Sequence, residues 1–373
     1  MPGIAPWPQP PRGSRMRRAT RSATLPEDWF FDRGLSTAED FSQQFQNAAV
    51  KSGAVLIEDL EFEVPWDDIK RLHDLLASRS DLRERLNSAQ PKDKPNYKTA
   101  AVNPVANKNP GALIDQKVSL DLSAKRLADL HKSGIDVVEL LGESFQSIIQ
   151  FYDHIEQGLI PRTLDALSGL VDDNLADIHQ DRAFTLRLSN YFPRWANASP
   201  APRCGEHKDF GTFTVLFQDP LQAGLELFID GQWQPVPPGC CLITFGWCAQ
   251  IRSNDRIQAV LHRVIDGVAD ADGTVPRRDA AIFFVAPDVG ARLEPVVREG
   301  EEPHYASVLT HGEFKVKMAR KWQEREGSVE PGQETKTQEE IVEGLRTRVK
   351  HPAVPTPAAK VAPGNAVVQA VCA

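Results

Sequence analysis

The sequence predicts a mainly β fold, an antiparallel sandwich or barrel flanked by helices, and three observations carry that prediction. After residue 183 short β-type runs follow one another, among them "FTLRLSNYF", "FTVLFQ", "LELFI", "CLITFGW", "AVLHRVI" and "AAIFFVA", separated by Gly, Pro and Asp. Between two of these runs "IDGQW" supplies an Asp-Gly dipeptide, the residue pair that a tight β-hairpin requires. Before residue 183 the apolar residues instead recur at three- and four-residue steps, the spacing of one helix face.

In chain order, residues 1–35 read as a disordered tail. Residues 1–26 hold Arg12, Arg15, Arg17, Arg18 and Arg21, many prolines and no acid, a composition unable to bury apolar surface. An organelle transit peptide is the alternative. Residues 36–180 read as a helical region. Within it "DDIKRLHDLLASRSDLRERL" places Ile69, Leu72, Leu75 and Leu76 on one face, and "GAVLIEDL" suits a short strand. "NYKTAAVNPVANKNPGALIDQK" reads as a long loop, because Asn, Pro and Gly punctuate it. "ESFQSIIQFYDHIEQGLIPRTLDALSGL" carries Phe145, Ile148, Ile149, Tyr152 and Ile155 at helical steps, a long helix that Pro161 ends or kinks. Residues 181–325 hold the β core and a charged helix, "GEFKVKMARKWQERE". Residues 326–373 read as a partly flexible tail.

Composition narrows the function classes. A chain of 373 residues, 41% hydrophobic, can bury a sizeable core, and its formal net charge of −8 argues against nucleic acid or an anionic membrane as partner. No apolar run approaches a membrane-spanning length, so no membrane association is expected. The five cysteines include no Cys-x-x-Cys pair, which points to a reducing compartment, the cytoplasm. A small-molecule enzyme, acting as a monomer, is the expectation.

The chemistry gathers around "CGEHKDFGTFTVLFQDP", residues 204–220. On a strand, side chains two apart point to the same side, so His207 and Asp209 can both face a barrel interior. His262 in "AVLHRV" lies on a later strand that antiparallel pairing can bring alongside. Two imidazoles and one carboxylate on one face of an ion leave its other positions open, as in non-haem Fe(II) oxygenases. A structural zinc site would need a fourth ligand, for which Cys204 is the nearby thiol. The competing assignment makes His207 a loop cap, Asp209 a turn residue and His262 a buried histidine bonded to backbone.

From Leu186 to Pro287 the chain resembles the 2-oxoglutarate and Fe(II)-dependent dioxygenases of the isopenicillin N synthase type. "LRLSNYFP" resembles that family's "RxNYYP"; "EHKDFGTFTVLFQD" its "HTDxGxLTLLxQD"; "GLELFIDGQWQPVPP" its "GLQVxxxGxWxxVxP"; and "SNDRIQAVLHRV" its "SNGRxxSxxHRV". The resemblance implies a double-stranded β-helix, or jelly roll, with a helical N-terminal part and a C-terminal helix. It also implies His207, Asp209 and His262 as iron ligands. Fe(II), O₂ and 2-oxoglutarate would together oxidise a small molecule, by hydroxylation, desaturation or oxidative cyclisation in specialised metabolism. In "RRDAAIFFVAP" the family's co-substrate arginine maps to Arg278, whose fork would pair with the remote carboxylate of 2-oxoglutarate in a way that lysine could not. The alternative is a solvated arginine beside Arg277.

Three positions depart from the family pattern. Ala280 stands for a serine, Phe192 for a tyrosine and Trp247 for an aspartate, so two hydroxyls expected near the co-substrate are missing. Asn190, Tyr191 or Arg187 are the candidates to compensate. Tyr97 and Lys98 are the candidate substrate contacts. Two rivals remain: an Fe(II) oxidase that uses O₂ without 2-oxoglutarate, and a non-catalytic jelly-roll binding protein.

Overall fold

The computed structural model describes residues 30–31, 38–57, 62–92, 94–98, 115–196, 202–306, 309–325 and 336–347. The expected N-terminal tail lies outside these residues save for 30–31, as do positions 99–114 of the expected long loop and most of residues 326–373.

The strands are β1 (Phe30–Phe31), β2 (Ala54–Ile57), β3 (Tyr97–Lys98), β4 (Val118–Leu122), β5 (Thr185–Tyr191), β6 (Arg194–Trp195), β7 (Cys204–His207), β8 (Phe213–Gln218), β9 (Leu225–Ile229), β10 (Gln232–Pro235), β11 (Cys241–Phe245), β12 (Leu261–Val264), β13 (Thr274–Val275), β14 (Arg278–Val285), β15 (Arg292–Leu293) and β16 (Leu309–Thr310). The helices are α1 (Ala38–Ser52), α2 (Trp66–Ser78), α3 (Ser80–Ser88), α4 (Ala124–Lys132), α5 (Val137–Leu141), α6 (Ser144–His154), α7 (Ile160–Val171), α8 (Trp247–Arg252), α9 (His311–Arg325) and α10 (Gln338–Glu343).

Two sheets face each other as a jelly roll. The larger has eight strands in the order β1-β2-β11-β8-β14-β5-β4-β3, and the smaller has four, β10-β9-β12-β7. All pairings are antiparallel except β1 with β2. The turn between β9 and β10 holds Asp230 and Gly231 at φ of 51° and 77°, which is why the sequence places an Asp-Gly there. Residues 36–180 are not only helical: β2, β3 and β4 lie at the two ends of the large sheet.

The central strands of the large sheet are buried on both faces. Odd positions of β8 and β14 (Val215, Phe217, Ala281, Phe283, Val285) join the helix-side core, while Leu216 and Ala280 join the core between the sheets. Phe151 of α6 packs edge-on against Phe217 and Phe283, with ring centroids 5.2 and 5.8 Å away. Burying such a ring is worth about 2 to 3 kcal/mol, and each aromatic pair about 1 kcal/mol more. The expected break near Pro161 is a π-helical turn, Ile155–Leu159, joining α6 to α7. Pro161 has no N–H to donate, and the wider turn accommodates its ring without ending the helix. The expected 67–86 helix divides at Arg79, whose extended backbone separates α2 from α3.

Candidate metal centre

His207 ends β7 and His262 opens β12 one residue in, and the two are direct antiparallel partners. Their ring centroids lie 4.2 Å apart. Asp209 is not on a strand, as the alternation argument assumed, but in the connection from β7 to β8. It reaches the same side because the loop is held from below. Trp247 N–H donates to the Asp209 carbonyl at 2.9 Å, and Gly246 packs so closely beneath it that a Cβ there would lie 2.7 Å from that oxygen.

Ligand atoms from these three residues lie within 4.8 Å of one another. Asp209 Oδ1 is 3.6 Å from His207 Nε2, and Oδ2 is 3.9 Å from His262 Nε2. The other ring nitrogens are engaged: Nδ1 of His207 meets the Gly205 carbonyl at 2.8 Å, and Nδ1 of His262 meets the Val260 carbonyl at 3.2 Å. A carbonyl only accepts, so each Nδ1 carries the hydrogen and each Nε2 turns a lone pair to the shared centre. Thr214 Oγ1 donates to Asp209 Oδ2 and fixes the carboxylate. This donor set, two neutral imidazoles and one carboxylate without a thiolate, fits an Fe(II) site with open positions better than a closed zinc site.

Arg278 is buried between the sheets at the start of β14. Its Nη2 donates to Gln218 Oε1 at 3.0 Å, and its guanidinium lies 5.1 Å from the centroid of the Tyr191 ring. Nε and Nη1 are buried with no hydrogen-bond partner. Arg277 points the other way, donating to Asp279, Asp74 and the Lys70 carbonyl. Asn190 is turned away with it: its amide donates to Asp279 Oδ1 at 2.9 Å, because it is out of phase with Tyr191 along β5. Of Asn190 and Tyr191, the structure brings only Tyr191 to Arg278.

Arg187 is occupied. It grips Asp121 through two hydrogen bonds of 2.6 and 2.9 Å, and Lys98 approaches the same carboxylate at 3.1 Å. Burial raises the Asp121 pKa, but these cations outweigh it and hold the carboxyl well below its usual range. Tyr97 pairs in register with Leu120 and lies buried in the helix-side core, away from the space between the sheets. Adjacent residues of β3 face opposite sides, so the pair Tyr97–Lys98 cannot line one pocket together.

Sequence reasoning missed Thr214, Gln218 and Gln338. The only signal for the first two was their even phase in "FTVLFQ". Gln338 on α10 bonds the main chain of Lys208, the residue between the two candidate ligands, and nothing in its local sequence announces that. Lys208 itself lies 4.4 Å over the Trp247 ring, and burial draws its ammonium pKa down. Cys204 is not part of the triad; its thiol faces Lys117 and Asp115.

Residues 184–287 match the family model of the 2OG-Fe(II) oxygenase superfamily. Among curated proteins, the chain is 36% identical over 128 residues to feruloyl CoA ortho-hydroxylase 2 of Arabidopsis thaliana, covering 32% of this chain and 33% of that one. It is 32% identical over 174 residues to the 2-oxoglutarate-dependent dioxygenase frbA of Dothideomycetidae sp. (strain 11243), covering 43% and 51%. The chain thus spans between a third and a half of the length of these relatives. Among solved structures, a 2OG-Fe(II) oxygenase family protein from Caulobacter crescentus superposes with a TM-score of 0.62 at 20% identity, over 78% of this chain and 97% of that one. The rice dioxygenase for auxin oxidation superposes with a TM-score of 0.58 at 17% identity, over 82% and 95%. These likenesses establish the jelly-roll fold.

Proposed function

Through residues 184–287 the chain belongs to the 2OG-Fe(II) oxygenase superfamily, and on that premise we propose that it oxidises a C–H bond of a small molecule with Fe(II), O₂ and 2-oxoglutarate. The single observation that carries this reading is the convergence of His207, Asp209 and His262. Bound Fe(II) supplies the redox chemistry, in which 2-oxoglutarate gives up CO₂ to become succinate and O₂ is reduced while the substrate is oxidised.

The chain's own residues hold and orient. Gly205 and Val260 carbonyls fix the tautomers of the two histidines, and Thr214 fixes the carboxylate. Arg278, with two N–H groups open and Tyr191 beneath it, is suited to a carboxylate. Leu216, Leu225, Leu227, Val260 and Val264 line the space between the sheets and exclude water from it. The plant relative's name places ortho-hydroxylation on feruloyl CoA, and a small molecule of specialised metabolism is the substrate class proposed for this chain. The net charge supports neither a nucleic-acid partner nor an anionic surface, and among the described residues no helix is long and apolar enough to cross a membrane. A monomer in the cytoplasm remains the working assignment.

Ala280 gives one reason to keep the rival oxidase, which would need no 2-oxoglutarate. Oxygen uptake by the Fe(II)-loaded protein, with and without 2-oxoglutarate, separates the two. Uptake that requires 2-oxoglutarate and yields succinate supports the proposal; uptake indifferent to it supports the rival.

A further inference from the structure

Ala280 has a specific neighbour. In register it pairs with Gln218 on one side and Ser189 on the other. Directly paired residues of adjacent strands share a face, with Cβ atoms about 5 Å apart. Ser189 is in phase with Tyr191, and Ala280 with Arg278, so all four face the space between the sheets. Ser189 is 0% exposed, and its hydroxyl has no hydrogen-bond partner.

An unmet buried hydroxyl costs about 1 to 3 kcal/mol. Arg278, two residues before Ala280 on the paired strand and facing the same side, has its own unmet donors at Nε and Nη1. These unmet donors belong to side chains that face the space between the sheets, and no acidic side chain is hydrogen-bonded to Arg278, a setting that suits an incoming carboxylate.

Resting on the reading of Arg278 above, we infer that Ser189 supplies, from the neighbouring strand, the carboxylate-binding hydroxyl that Ala280 lacks. The hydroxyl has moved one strand across the sheet while the arginine has stayed. Ser189 and Arg278 would together hold the remote carboxylate of a 2-oxo dicarboxylic acid.

The test is anaerobic titration of the Fe(II)-loaded protein with 2-oxoglutarate, followed by calorimetry and by the visible band of the complex. Ser189→Ala should weaken binding about tenfold, the value of one hydrogen bond to a charged partner, leave Fe(II) affinity unchanged and keep the melting temperature of the unliganded protein equal or higher. Ala280→Ser placed in the Ser189→Ala protein should restore most of the loss. With 2-oxopentanoate, which lacks the remote carboxylate, wild type and Ser189→Ala should bind alike. Wild-type 2-oxoglutarate affinity in Ser189→Ala overturns the role of Ser189, as does an equal loss with 2-oxopentanoate. A wild type that binds Fe(II) but no 2-oxoglutarate overturns the reading of Arg278 and this inference with it.

Discussion

Gln338 holds the main chain of Lys208 from both sides: its Oε1 accepts from Lys208 N–H at 3.1 Å, and its Nε2 donates to the Lys208 carbonyl at 2.9 Å. Lys208 stands between His207 and Asp209, so a residue 130 positions away fixes the peptide that joins two metal-ligand candidates. Around it Trp247, Tyr305, Phe314, Met318 and Val342 form a small separate core that docks α9 and α10 against α8.

Gln338→Ala should therefore lower stability by about 1 to 3 kcal/mol, the value of two hydrogen bonds, and also speed Fe(II) release. Chelator competition measures the second effect. A destabilised variant with wild-type iron release would reduce α10 to a packing element.

Arg278→Lys should weaken 2-oxoglutarate binding about tenfold or more, since a lysine cannot reproduce the fork. Arg277→Ala should leave that binding unchanged, because its guanidinium is committed to Asp279 and Asp74 on the helix side. Ala280→Ser alone should change 2-oxoglutarate binding little, because Ser189 already supplies the hydroxyl, and should leave iron affinity unchanged. The opposite ranking of the two arginines in a titration would mean that β14 binds in the other phase.

Gly246→Ala should cost most of the Fe(II) affinity. The added Cβ meets the Gly211 and Asp209 carbonyl oxygens, which are main chain and cannot swing aside. The same variant should unfold at lower temperature; a soluble Gly246→Ala protein with full iron content would show that the loop under Asp209 tolerates movement.

Much of this architecture was legible in the sequence. "FTVLFQ" and "LELFI" coincide with β8 and β9, and the partnership of His262 with His207 follows from antiparallel pairing. What was not legible is the phase of the central strands. On a sheet with one wet face, polar residues reveal which side is out. Every residue of β8 and β11 is buried, so no solvent-facing row marks the outside, and in β8 only Thr214 and Gln218 hint at the inner side. That is why Asn190 and Tyr191 looked interchangeable and why Ser189 escaped notice. The link between Gln338 and Lys208 is a long-range side-chain contact without periodicity, which leaves no local trace.

His73 supplies a pH prediction. It is buried on α2 with neither ring nitrogen hydrogen-bonded, and burial, aided by Arg277, lowers its pKa from 6.5 to about 3. Between those values the unfolded chain binds a proton that the native state refuses, so stability falls as pH drops below 6.5 toward 3, by up to about 1.4 kcal/mol per pH unit. His73→Leu, of similar volume and with no polar atom to satisfy, should remove that part of the slope and leave stability at pH 7 equal or higher. Urea denaturation across this range gives the answer; an unchanged slope would place the acid sensitivity elsewhere.

The central claim is that His207, Asp209 and His262 hold one Fe(II). It is tested most directly by anaerobic iron binding to the wild type and to the His207→Ala, His262→Ala double variant, with circular dichroism confirming the fold of each. The expected result is one iron per wild-type chain, most affinity lost in either single histidine variant, and none measurable in a folded double variant. Wild-type stoichiometry and affinity in that double variant would contradict the account.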